Sequence, residues 1–245
     1  MVAFALPAAG YELLRVNDDP CARGDKNLFW PGAQATVNVG LLPEPYLGLA
    51  SEAAQSWNLS LGRFRFGFGS AAACTRDGVA TLTIDDVPCG LSNFGDALAI
   101  TRSIWKTDTG ELIDADTSFN ANSFILNDRS AFLEVALHEL GHVLGLDHSD
   151  ACGRSGAGTL MAAVLSGPRL DAPQADDVDG AQSIYPSGSG GDGTVPEGAN
   201  SCAIAPPPPG SLPAVPLLLA PFLFALRRRQ VRNARGEIDG APKLL

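Results

Sequence analysis

The sequence predicts an α+β domain, and three observations carry that reading. Phe64, Phe66 and Phe68 alternate with Arg65 and Gly67, the period of a strand with one buried face. Residues 97–105 and 111–119 flank Thr107-Asp108-Thr109-Gly110, so two strands joined by a tight turn are expected. Leu133, Leu137, Leu140 and Leu144 then recur at helical spacing, which predicts a helix over 130–144.

The remaining elements follow in chain order. Residues 1–10 are apolar and end in small residues, with Ala3-Phe4-Ala5 fitting an A-x-A cleavage pattern. Two readings stand there: the remnant of a signal peptide, or a disordered or strand-like N-terminus. Residues 28–39 read as a first strand ending in alternating Ala35, Val37 and Val39. A helix is expected over 44–58, where Leu47, Ala50, Ala54 and Trp57 share a face and Pro45 suits the first turn. Residues 79–87 give another strand, and 171–185 a last short helix that stops at Pro186.

The 245 residues are 45% hydrophobic and 18% charged, enough to bury one ordinary core, expected over 11–186. Residues 11–200 hold 11 basic and 25 acidic side chains. An acidic body repels phosphates, so nucleic-acid binding is excluded. None of the five cysteines forms a C-x-x-C pair, and disulfides in an oxidising compartment are the natural reading. Cys74 and Cys89 flank one strand-like stretch and are expected to pair, with Cys202 left over.

Beyond the body, residues 187–211 are a Gly/Ser/Pro-rich linker. Residues 212–229 are an apolar segment closed by Arg227-Arg228-Arg229, and 230–245 a polar tail. The 15 apolar residues at 212–226 carry Pro213, Pro216 and Pro221, short and broken for a spanning helix of about 20 residues. The arginines would keep that end in the cytoplasm. Membrane attachment through this segment is expected, which places the body outside the cell or at its envelope.

The chemistry concentrates at His138-Glu139-Leu140-Gly141-His142-Val143-Leu144-Gly145-Leu146-Asp147-His148. His138 and His142 lie four apart on the expected helix, so their rings project from one face and can reach one zinc ion. Glu139 sits beside the first ligand, placed to act as general base on a water. Gly145 can take the left-handed turn that ends the helix and returns His148 as third ligand. Three neutral ligands leave a fourth position open, the pattern of a catalytic zinc. The chain has only three histidines and all are here, while Met161 lies thirteen residues beyond His148.

This eleven-residue motif resembles that of the metzincin metallopeptidases, and Ser149 after the third histidine resembles their matrixin branch. Thr159-Leu160-Met161-Ala162 looks like the family's methionine turn. Residues 176–185 resemble the closing helix, and 111–116 the strand before the active-site helix. The likeness covers roughly 27–186 and points to a bacterial member. It implies a zincin-like fold: a twisted, mostly parallel sheet with an antiparallel edge strand, an active-site helix, the methionine turn and a C-terminal helix. It also implies one catalytic zinc on His138, His142 and His148, Glu139 as base, and protein substrates laid along a sheet edge by a monomer. A pocket for the residue after the scissile bond would be walled by residues following Met161.

The resemblance has limits. No further histidine is present for the structural zinc of animal matrixins, and a P-R-C-G-type latency cysteine is missing; Cys21 would either block the zinc or form a disulfide. Asp114, Asp116 and Asp128 would either bind calcium or be solvated surface carboxylates. The tail resembles bacterial C-terminal sorting signals, with a plain single-span anchor as the alternative. The rival function is a zinc-stabilised surface or adhesion module without turnover, which would have no use for Glu139.

Overall fold

The computed structural model describes residues 10–187 except 23, 155 and 157, together with the backbone of 243 and 244. The expected signal remnant, the linker from 188 onward, the apolar segment and Cys202 lie outside the described residues. Among the described residues, no helix is long and apolar enough to cross a membrane.

The main sheet is built from β2 (Gln34–Asn38), β3 (Arg65–Phe68), β4 (Val79–Asp85), β5 (Ala99–Trp105), β6 (Leu112–Asn120) and the two-residue β8 (Lys243–Leu244), in the order β3-β2-β4-β6-β5-β8. Strands β3, β2, β4 and β6 run parallel, while β5 is antiparallel to β6, and β8 to β5. The mostly parallel sheet with an antiparallel strand towards its edge is the architecture expected. Burial follows position. In β3 only Phe66 is buried, as suits an edge, whereas Asp114 to Phe119 of β6 are buried on both faces.

Two helices pack on one face. α1 (Tyr46–Ser60) buries Leu49, Ala50, Ala53, Ala54 and Trp57 as one stripe. α2 (Arg129–Leu144) is buried on nearly every side, which fits a helix held between α1 and the sheet. α3 (Ala175–Ile184) closes the domain. A separate antiparallel pair joins β1 (Glu12–Leu13) to β7 (Leu146–Asp147). The first expected strand is shorter than 28–39, because Pro31 opens a 3-10 turn at Pro31–Ala33. The last helix starts later than 171, because Pro173 disfavours helical backbone at the residue before it.

Cys74 pairs with Cys89 as expected, with Cα atoms 5.4 Å apart. Cys21 is bonded to Cys152, 131 residues away, which decides between its two readings. A disulfide sulfur has no thiolate to offer a metal.

Asp114 and Asp116 are neither solvated nor grouped with Asp128. They are 1% and 5% exposed on one face of β6, whereas Asp128 caps α2 by accepting from the Ala131 amide at 3.0 Å. Asp116 is held by the amide and hydroxyl of Thr81, and Asp114 Oδ1 has no hydrogen-bond partner among the described residues. Burial, with the charges of Asp116 and Asp77, pushes the Asp114 carboxyl from 3.8 up to about 7. A folded-state value above the unfolded one means the native protein holds a proton that the unfolded chain has released. Stability should therefore fall as pH rises from about 4 to about 7. Asp114→Asn should raise the melting temperature in calcium-free buffer at pH 8. That advantage should shrink towards pH 4, and thermal scans across the range would check it.

Candidate metal and catalytic centre

The centre grows from the last two turns of α2. Asp128 caps the first turn, and Gly145 ends the helix with φ 109°. A Cβ at Gly145 would also stand 2.8 Å from the Leu28 carbonyl, so the turn requires glycine on two counts. The carbonyls left over near the end of the helix are taken up by side chains. Trp30 Nε1 donates to Val143 O at 2.6 Å, and the Tyr185 hydroxyl to Leu144 O at 2.8 Å. About two turns earlier, Trp57 Nε1 donates to Leu137 O at 2.9 Å. These bonds from three distant elements hold the histidine-bearing turns in place.

Beyond Gly145 the chain pairs with β1 and then presents His148 to His138 and His142. The ligating atoms of the three rings lie within 4.8 Å of one another, close enough to share one metal ion. Among the described residues this is the only group of histidine, cysteine and carboxylate side chains so arranged. His138 Nδ1 lies 2.8 Å from Leu160 O, and His142 Nδ1 lies 2.9 Å from Leu146 O. A carbonyl can only accept, so each Nδ1 must carry its hydrogen and each neutral ring keeps a bare lone pair at Nε2. The two Nε2 atoms face each other at 2.9 Å. Two bare lone pairs at that range repel unless a cation shares them, so the donor set fits a metal. Burial, and then the neighbouring His148, hold the His138 pKa down at about 4, which keeps the ring a neutral ligand at neutral pH.

Beneath the histidines lies the turn containing Met161, itself 1% exposed. A Cβ at Gly141 would fall 2.3 Å from Met161 Sδ, so glycine there lets the turn lie directly against the helix. Three contacts lock the turn to the segment just after the third histidine. Ser149 N donates to Met161 O at 2.8 Å, Ser149 and Thr159 hydroxyls share a 2.6 Å bond, and Ala163 N donates to Asp150 at 3.1 Å. From below, the buried Asp177 carboxylate accepts from the amides of Leu160 and Met161, each at 3.2 Å, and from Gln174 N at 2.8 Å. Asp177 thus joins the turn to α3. The sequence showed it only as one acid in a closing helix.

Glu139, 5% exposed, lines a cleft of about 480 Å³ together with His138 and His148. Burial pushes its carboxyl up to about 7, against the opposing effect of a hydrogen bond from Thr101. The cleft runs between β5 at Ala97–Ala99 and the chain after Met161, with Phe124, Val135 and Leu165 as apolar walls. Arg169 also lines it, paired to Glu134 at 3.3 Å. The structure thus brings together all three histidines and Glu139, as the motif led one to expect.

Three converging histidines on a helix and its following turn, a buried carboxylate next to the first in sequence, and a methionine floor resemble the centre of the metzincin metallopeptidases. Residues 80–186 match the family model for matrixin, and the domain is matrixin-like. No curated protein matches the chain.

Proposed function

We propose that the chain is a zinc-dependent endopeptidase, with His138, His142 and His148 as metal ligands and Glu139 as general base. The observation that carries this reading is Glu139 itself: a buried carboxylate in the same cleft as the triad, a group metal binding does not need. Zinc, when bound there, supplies Lewis-acid polarisation and lowers the pKa of a water to near neutrality. Glu139 takes a proton from the attacking water and returns it to the departing amine. Its raised pKa of about 7 suits a group that must both accept and release a proton near neutral pH.

The substrate lies extended beside the chain that enters β5, ahead of the stretch at Arg102 and Ser103 that pairs with β8, and adds its backbone there in the manner of strand addition. Residues 97–99 of that entering chain line the cleft. The side chain after the scissile bond enters the apolar hollow beside Val135 and Leu165, whose lining includes Arg169, the ion-pair partner of Glu134. An unbranched or aromatic apolar residue fits that hollow better than a charged one. Two disulfides support a domain that works outside the cytoplasm. The apolar segment at 212–226 followed by arginines supports attachment to a membrane or envelope.

The test is cleavage of an unstructured protein such as casein by the purified full chain. Activity should vanish on treatment with a zinc chelator and return on adding one equivalent of zinc. Cleavage that persists after metal removal would remove the reading.

A further inference from the structure

Strands β5 and β6 bring a second pair of side chains to Glu139. Thr101 and Thr117 stand directly opposite each other in the register, and both are fully buried. Their hydroxyl oxygens are 2.8 Å apart, and Thr101 Oγ1 lies 2.6 Å from Glu139 Oε2. Thr101 Oγ1 is also 3.4 Å from the Glu139 carbonyl. The direction of the chain of bonds follows from the inventory of hydrogens. An ionised carboxylate can only accept, so the single Thr101 hydrogen goes to Glu139, and Thr117 must donate to Thr101. One carboxylate oxygen is thereby fixed from inside the sheet, on a residue that also lines the cleft.

We propose that Thr101 is a positioning residue for Glu139 and that Thr117 orients the Thr101 hydroxyl, forming a two-threonine clamp on the base. The proposal rests on Glu139 acting as base in peptide hydrolysis. A carboxylate hung on two rotatable bonds can swing away from the water it must deprotonate. A short bond to a charged acceptor, shielded from solvent, restricts that swing more than a surface contact could. Among the described residues, Thr101 is the side chain that hydrogen-bonds the Glu139 carboxylate, so the clamp restrains it from the sheet side. Both threonines are β-branched residues in strands, where such side chains hold few rotamers, and this keeps the hydroxyls aimed.

The experiment compares Thr101→Val, Thr101→Ser and Thr117→Val with wild type in the full-length zinc-loaded protein. It measures kcat, KM, zinc content and melting temperature. Thr101→Val keeps the branched shape and loses the hydroxyl. Its kcat should drop roughly 10- to 100-fold, as expected for a displaced catalytic group, with KM and zinc content unchanged. Thr101→Ser should recover most of that loss. Thr117→Val should lower kcat by a smaller factor, and this variant tests the clamp even if Thr101→Val does not fold. In a Glu139→Gln background, adding Thr101→Val should produce no further drop. The clamp is overturned if Thr101→Val, or Thr117→Val where the former does not fold, retains wild-type kcat. It is equally overturned if the serine and valine variants fall together with loss of zinc. Those results leave the base assignment intact wherever Glu139→Gln is still inactive. If instead wild type and Glu139→Gln cut equally well, the base assignment itself fails.

Discussion

Glu139→Gln should leave a folded, zinc-replete protein that no longer cuts peptide bonds. Glutamine keeps the shape of the side chain and its ability to accept from Thr101, 2.6 Å away, so packing beneath the sheet survives. What it loses is the ability to take a proton. General-base catalysis contributes about 10²–10⁴-fold, and the loss should reach the top of that range because the same carboxylate serves the leaving amine. Single-turnover cleavage of a fluorogenic peptide, with zinc measured on the same sample, checks both halves of the expectation. Near-normal cleavage would mean that the base lies elsewhere.

Replacing both His138 and His142 with alanine should abolish stoichiometric zinc and all activity. The chain holds no histidine outside the triad, so no other imidazole can take their place. Ligand removal also leaves Leu160 O and Leu146 O without these partners, and some loss of stability should accompany the loss of metal. Elemental analysis after dialysis against a weak chelator is the measurement. Full occupancy in the double variant would show that the metal sits at another place in the chain.

The centre was legible in the sequence wherever its geometry is local. Four-residue spacing on a helix puts His138 and His142 side by side whatever the rest of the chain does, and Gly145 announces the turn that returns His148. The long strands, the active-site helix and the Cys74–Cys89 pair were legible for the same reason. What could not be read depends on which strand lies beside which. Thr101 and Thr117 are ordinary strand threonines until the β5–β6 register sets them opposite each other and α2 lays Glu139 across them. Asp177, 16 residues beyond Met161 and bonded to its amide, gives no local sign of its role. Gly141 did carry a signal: a glycine inside a buried helix points to close approach, here by Met161. The β1–β7 pair joins two-residue strands from opposite ends of the domain, too short to show periodicity.

The bond between Cys21 and Cys152 has a consequence for metal loading. The N-terminal segment grips the chain on both sides of His148, through β1 against Leu146–Asp147 before it and through Cys152 four residues after it. The first two histidines ride on a helix that needs no such help, so oxidation bears chiefly on the third. By thermodynamic reciprocity, whatever the disulfide contributes to the affinity of the triad, a bound ion returns as resistance of the disulfide to reduction. Reduction would remove one of those two grips and leave β1 in place, so the third ligand is the one it would loosen first.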